Sequence, residues 1–344
     1  MPSASGSPEA DHGPAIALYA TGGTIASSAE LNEPVEPRLT AARLVDAVPG
    51  LAAGERLRLV DFRQAPSVEL MATDMVALTA RLAADADEHV EGFVVTQGTD
   101  TLEEFAFGLD LLWDRAPPVV VTGAMRAPEA LGADGPANLA AAIAVASSLE
   151  ARSAGCLVVL NDEIHAARHV RKAHATSPAA FESPLCGPVG GITEGRVRLW
   201  NRPVRPPSLP LPPSSAPQPP VALIRVSLGD DARIVSTLVE QGYRGAVVES
   251  MGSGHVPRCF VAPLADLSAS IPVVLVSRAG PSELLRRTYG FPGSETELFA
   301  AGLLPAGILD GLKARIKLTL ALMTGASRPD VEAAFRAESE PIAA

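Results

Sequence analysis

Short apolar runs alternate with amphipathic stretches along this chain from about Ala15 onward. Ile16 to Ala20, Gly92 to Thr96, Val119 to Thr122 and Leu157 to Asn161 are apolar segments of strand length, the pattern of strands buried on both faces. Arg56 to Phe62 also reads as a strand. Between these lie Leu39 to Val48, Thr73 to Ala86, Leu102 to Trp113 and Asp134 to Leu149, which read as helices, the last with Pro136 in its first turn. Strands alternating with helices predict right-handed crossovers and an α/β fold with a mostly parallel sheet flanked by helices.

After Trp200 the pattern breaks. Arg202 to Pro220 holds nine prolines, a density that no helix or central strand tolerates, so 201–220 is expected to be an extended, semi-rigid linker. The alternation then resumes, with strands at Val221 to Val226, Gly245 to Glu249 and Pro272 to Ser277, and helices over Ala232 to Gln241, Ala314 to Leu322 and Pro329 to Arg336. The expected organisation is a disordered tip over 1–14, a larger N-terminal α/β domain over 15–200, the Pro-rich linker, and a smaller C-terminal α/β domain over 221–344.

Composition adds exclusions. Of 344 residues 47% are apolar, enough for two cores, but only 4% are aromatic, so Ala, Val, Leu and Ile must fill them. A net charge of -11 disfavours nucleic acid and anionic membranes as partners. Residues 1–14 lack the basic start and apolar middle of a signal peptide, and no apolar run reaches membrane-spanning length, so a cytoplasmic location is expected. Cys156, Cys186 and Cys259 are odd in number and far apart, which argues against a disulfide framework or a zinc ribbon. The six histidines form neither HExxH nor a tight cluster, so no metal site is expected.

Candidate chemistry lies at two strand ends. Ile16 to Ala20 runs into Thr21-Gly22-Gly23-Thr24, and Phe93 to Thr96 runs into Gln97-Gly98-Thr99-Asp100-Thr101. Both turns place a threonine hydroxyl beside glycine at the carboxyl end of a strand, where open α/β sheets bind ligands. The first lacks the GxGxxG and Gly-Lys-Ser/Thr patterns of phosphate loops, and on spacing alone it reads as a structural turn. In the second, Thr101 and Glu104 fit a capping box, which leaves Thr99 free and Asp100 open to either capping or ligand contact. The chain has three lysines, Lys172, Lys313 and Lys317, against twenty-five arginines. A retained Lys172 suggests a task arginine cannot perform, such as passing a proton, although a chance surface lysine fits the same count. Thr99, Asp100 and Lys172 together could form a unit in which the lysine activates the hydroxyl.

These residues carry a family resemblance. Thr21 to Ala26 (TGGTIA) and Gly98 to Glu104 (GTDTLEE) closely resemble the two signatures of bacterial-type L-asparaginases, the asparaginase/glutaminase family. Gly123 to Arg126 (GAMR), Ala133 to Leu139 (ADGPANL), Leu157 to Asp162 with Arg168 to Lys172, and Thr288 to Glu295 resemble further family segments. The resemblance implies hydrolysis of the side-chain amide of asparagine, and in some members glutamine, to the acid and ammonia. It implies Thr24 as nucleophile and Thr99, Lys172 and Asp100 as a second catalytic group. Asp100 would also hold the substrate ammonium, Ser67 the substrate carboxylate, and the Ala124 carbonyl would face the amide. Glu295 would be an acid supplied by a neighbouring subunit, in a dimer or tetramer. No metal or organic cofactor is implied. The chain departs from the family where Gln97 replaces a common histidine, where no tyrosine occurs between Ala26 and Leu44, where Val68 replaces a polar residue beside Ser67, and where Ser253 and His255 replace asparagines. Those departures leave room for a different amide substrate, and a non-catalytic amino-acid-binding protein is the alternative of another class.

Overall fold

In a computed structural model, residues 16–28, 36–50 and 57–338 are described. The expected tip over 1–14 lies outside them. The larger domain is an eight-stranded sheet. Five strands are parallel neighbours in the order β4-β1-β5-β6-β7: β1 is Ile16–Gly22, β4 Leu57–Ala65, β5 Gly92–Thr96, β6 Val119–Thr122 and β7 Cys156–Leu160. Beyond β7 the sheet continues antiparallel through β8 (Glu163–Ala166), β11 (Gly190–Thr193) and β12 (Arg196–Leu199). Two small pairs lie outside it, β2 (Ser27–Ser28) with β3 (Glu36–Pro37), and β9 (Arg171–Lys172) with β10 (Phe181–Glu182).

The apolar runs work as buried strands because successive side chains serve opposite faces. Ala17, Tyr19, Phe93, Val95, Val119 and Val121 join one core, while Ile16, Leu18, Ala20, Val94 and Val120 join the other. The first core is covered by α2 (Ala72–Asp87) and α3 (Leu102–Leu112), the second by α1 (Ala41–Asp46) and α4 (Gly135–Ala146). The central strands of the sheet are thus dry on both sides, with helices on each face.

The smaller domain is a four-stranded parallel sheet, β13 (Val221–Arg225), β14 (Gly245–Ser250), β15 (Val273–Ser277) and β16 (Leu304–Pro305), in that order. Its helices are α5 (Val261–Ser270), α6 (Glu295–Ala300), α7 (Gly311–Met323) and α8 (Arg328–Arg336). Helix α7 packs on both α3 and β14, so Leu318 and Val247 belong to the same core as Phe105 and Val95.

The Pro-rich stretch forms no helix or strand, as its composition dictates, yet it is pinned. Leu209 donates its N–H to the Leu111 carbonyl (2.7 Å), and Arg205 pairs with buried Asp110 (2.9 Å) while donating to the carbonyls of Asp110 and Trp113. One sequence expectation fails here. Ala232 to Gln241 is not an α-helix but a chain of tight turns around a 3-10 turn at Val235–Thr237. Ala232 sits at a φ of 62°, and Ile234, Val235, Thr237 and Val239 are β-branched, which lowers helix propensity. The Thr237 hydroxyl also donates to the Ile234 carbonyl, competing with the helical bond.

Candidate active site

The chain order along the sheet reverses at β1: the next long strand, β4, lies on one side of it and β5 on the other. This is a switch point, where the loops at the carboxyl ends of neighbouring strands part and leave a crevice. Four loops leave that edge, and each carries a residue singled out above. Thr24 follows β1, Ser67 follows β4, Thr99 and Asp100 follow β5, and Ala124 follows β6.

Glycines hold these loops in backbone contact. Gly23 adopts φ 79°, and a Cβ there would lie 2.1 Å from the Gly98 nitrogen and 2.2 Å from its Cα. A Cβ on Gly98 would come within 2.9 Å of the Ser67 side chain. One on Gly123 would meet the Gln97 carbonyl at 2.5 Å and the Thr99 methyl at 3.2 Å. Only bare backbone allows four turns to crowd so closely. The Thr21 hydroxyl donates to the Thr96 carbonyl (2.9 Å) and the Gly23 N–H to the Ala65 carbonyl (3.2 Å), tying the first turn to both neighbouring strands. Thr24 itself opens a 3-10 turn, Thr24–Ala26, and is partly exposed.

Lys172 arrives from β9, 73 residues beyond Thr99 in the chain. Its Nζ donates to the Thr99 hydroxyl at 2.9 Å and to Asp100 Oδ1 at 2.7 Å. Thr99 is buried and Lys172 mostly so, whereas the Asp100 side chain is 68% exposed and keeps one oxygen free for a ligand. The Lys172 nitrogen therefore bridges a buried hydroxyl and an exposed carboxylate at this edge of the sheet. Among the described residues this is where a hydroxyl, an amine and an exposed carboxylate meet within hydrogen-bond distance at the edge of the sheet.

Thr101 departs from the capping role expected of it. It occupies the N-cap position of α3 but makes no side-chain cap, and its hydroxyl donates to the Ser67 carbonyl (2.9 Å). Fully buried Gln97 donates to the same hydroxyl (3.3 Å), so the α3 turn and the Ser67 turn are joined through Thr101. The Ala124 loop is braced from α4. Asp134 accepts the N–H groups of Met125 and Arg126, and Asn138 donates to the Gly123 carbonyl (3.0 Å) while accepting the Asn161 N–H (3.0 Å).

Glu295 lies apart from this constellation. Its side chain is fully buried at the start of α6, and Oε1 accepts the N–H groups of Thr288 and Tyr289 at 2.8 Å each. Its other oxygen stands 3.4 Å from His255 Nε2, and the His255 ring packs edge-on against Tyr289 and Phe291. No described hydrogen bond or ion pair of this chain joins Glu295 to Thr24, Ser67, Thr99 or Asp100. Among the described residues no cluster of three or more His, Cys, Asp or Glu side chains could hold a metal ion.

Comparison with known proteins agrees with this geometry. Residues 15–205 match the family described as Asparaginase, N-terminal, and residues 220–335 the Glutaminase/Asparaginase C-terminal domain. The chain belongs to the L-asparaginase family. An L-asparaginase of Bacillus licheniformis is 32% identical over 314 residues, covering 89% of this chain and 95% of that one. A Haemophilus influenzae relative named a probable periplasmic L-asparaginase is 32% identical, covering 90% of this chain and 88% of its own length. The crystal structure of a probable cytoplasmic L-asparaginase from Campylobacter jejuni superposes with a TM-score of 0.81 at 30% identity, over 93% of this chain and 98% of that one. This asparaginase-family chain is accordingly an amidohydrolase. No helix among its described residues is long and apolar enough to cross a membrane.

One polar contact of the site had no signal in the sequence. Lys172 donates its backbone N–H to Glu103, the second residue of α3. Glu103 reads in sequence as one of two acids in a helix first turn, a common and favourable position. Only the meeting of α3 with β9 shows where its carboxylate goes.

Proposed function

We propose that this enzyme hydrolyses the side-chain amide of L-asparagine to L-aspartate and ammonia through a threonine nucleophile. The observation that supports it above others is the Lys172 ammonium held between the Thr99 hydroxyl and Asp100, at the edge where the Thr24 and Ser67 turns meet. In this reading the Thr24 oxygen attacks the amide carbon, the carbonyl oxygen takes the electron pair, and collapse expels ammonia to leave a Thr24 ester. A water then attacks the ester carbon, its proton passing to the Thr24 oxygen as the acid departs. Thr99 and Lys172 relay protons to the leaving nitrogen and from the water. Asp100 takes the substrate ammonium and Ser67 its carboxylate, a charge-assisted arrangement suited to an amino acid. Glu295 of a neighbouring subunit completes the site in a dimer or tetramer, and the location is the cytoplasm.

A second reading keeps the mechanism and changes the substrate to glutamine or another carboxamide. It is favoured by Val68, an apolar residue 64% exposed and next in sequence to Ser67. Ammonia release from a panel of asparagine, glutamine and substituted carboxamides separates the two. Turnover of another amide without turnover of asparagine removes the first reading. Thr24→Ala, Thr99→Val and Lys172→Met are each expected to lower kcat at least about 10³-fold, since members of one catalytic unit fail together. Undiminished ammonia release in the Thr99 and Lys172 variants would refute the relay.

A further inference from the structure

Lys172 sits on a two-residue strand at the edge of a two-stranded pair, a weak platform for a group that must meet a hydroxyl within hydrogen-bond distance. Along a strand, successive N–H groups point to opposite sides. The Ala173 N–H turns to the carbonyl of Ala180, the residue before the neighbouring strand (2.7 Å), so the Lys172 N–H and the Val170 carbonyl face the other way, where no described strand lies. Two buried charged side chains occupy that free edge. Glu103 of α3, 7% exposed, accepts the Lys172 N–H through Oε2. Lys313 of α7, 2% exposed, donates its Nζ to the Val170 carbonyl at 2.6 Å.

Glu103 stands four residues after Thr99 on the same turn and helix start. The segment from Thr99 to Glu103 therefore grips Lys172 at both ends: Thr99 and Asp100 hold its Nζ, and Glu103 holds its backbone nitrogen. Burial raises the Glu103 carboxyl above its ordinary range, opposed by the Lys313 cation, the Lys172 N–H and Arg171. A buried acid facing two cations and a peptide N–H is costly where a strand edge could have been closed by apolar packing. Its placement directly behind the lysine is what that cost sustains.

We propose that Glu103 is a positioning residue, which fixes the backbone of Lys172 so that its Nζ meets the Thr99 hydroxyl. The proposal rests on the reading of Lys172 and Thr99 as a catalytic pair. Glu103→Ala frees the strand edge, and a shift of about 1 Å at Nζ corresponds to roughly a 10²-fold loss of kcat. KM for the amide changes less than kcat, because no described hydrogen bond joins Glu103 to Asp100 or Ser67. Glu103→Gln keeps an acceptor oxygen at the same place and restores kcat to within about fivefold of the parent.

The test is steady-state ammonia release by the full-length parent, E103A, E103Q, K172M and the E103A/K172M double variant, with folding checked by circular dichroism. If Glu103 acts through Lys172, adding E103A to K172M lowers kcat by less than about threefold. Should E103A not fold, Glu103→Met fills the same volume without an acceptor and replaces it throughout. A folded E103A or E103M with parental kcat overturns the proposal. So does a loss that multiplies fully with K172M, or an E103Q as impaired as E103A. If K172M itself keeps parental kcat, the catalytic reading of Lys172 falls, an outcome distinct from a silent Glu103 beside an essential lysine.

Discussion

Gly23→Ala is the sharpest single test of how the threonine turns are held together. The added methyl carbon would stand 2.1 Å from the Gly98 nitrogen and 2.2 Å from its Cα, against 3.4 Å or more in ordinary contact, so one turn must retreat by more than 1 Å. Neither obstacle is a side chain that can rotate away. The residue would also carry a φ of 79° with a ψ of -175°, a combination essentially confined to glycine that costs an alanine about 1–3 kcal/mol, and the forced overlap adds about 1–3 kcal/mol. Gly50 provides the internal control: its φ is 80° but nothing lies within 4 Å of its would-be Cβ, so Gly50→Ala carries the backbone strain alone. The two variants are compared by thermal melting and by ammonia release in a coupled glutamate dehydrogenase assay. Gly50→Ala should lose a little stability and no activity. Gly23→Ala should melt lower still, and its kcat/KM should fall about 10²-fold, the scale expected when reacting groups are displaced by 1 Å. A folded Gly23→Ala within threefold of the parent would show that the contact of the two turns does not set the reacting geometry.

Two further variants probe what anchors the lysine segment from behind. Glu338 accepts from Arg168 (2.6 Å) and Lys317 (2.5 Å), both almost wholly buried, so Glu338→Ala leaves two cations unpaired and should cost about 3–5 kcal/mol in denaturant unfolding; an unchanged transition would sink the clamp. Burial, helped by Arg168, lowers the His169 imidazole to about 4, so between pH 6.5 and 4 the unfolded chain binds a proton that the folded chain refuses, and stability drains as pH falls. The stability gap between the parent and His169→Gln should therefore shrink by about 2 kcal/mol from pH 7 to pH 5, and a gap that holds constant would contradict a neutral His169.

How much of this was legible in the sequence depended on where the determining contact lies. Strands β5 and β6 have the boundaries that the apolar runs predict, because a strand dry on both faces is apolar at nearly every position. The antiparallel end of the sheet leaves no such pattern, since Glu163–Ala166 and Arg196–Leu199 mix charged with apolar residues and are four residues long. Helix α5 is masked in the sequence by Pro263, which its first turn accommodates. At Thr101 the capping pattern was present in sequence, but a nearer acceptor, the Ser67 carbonyl from another loop, took the hydroxyl.

The scarcity of lysine pointed to Lys172 for a reason that proves incomplete. Lys313 and Lys317 are each 2% exposed, one on the Val170 carbonyl and the other on Glu338. All three lysines thus sit in tight polar contacts against the segment from Arg168 to Lys172 or the clamp behind it. A compact ammonium with three rotatable donors fits a buried carbonyl or carboxylate where a planar guanidinium would need more room. Rarity therefore marks a demand for a small cation, and chemistry is only one source of that demand. What separates Lys172 from the other two is its partner: it alone of the three points its nitrogen at a hydroxyl beside an exposed carboxylate, where a proton has somewhere to go.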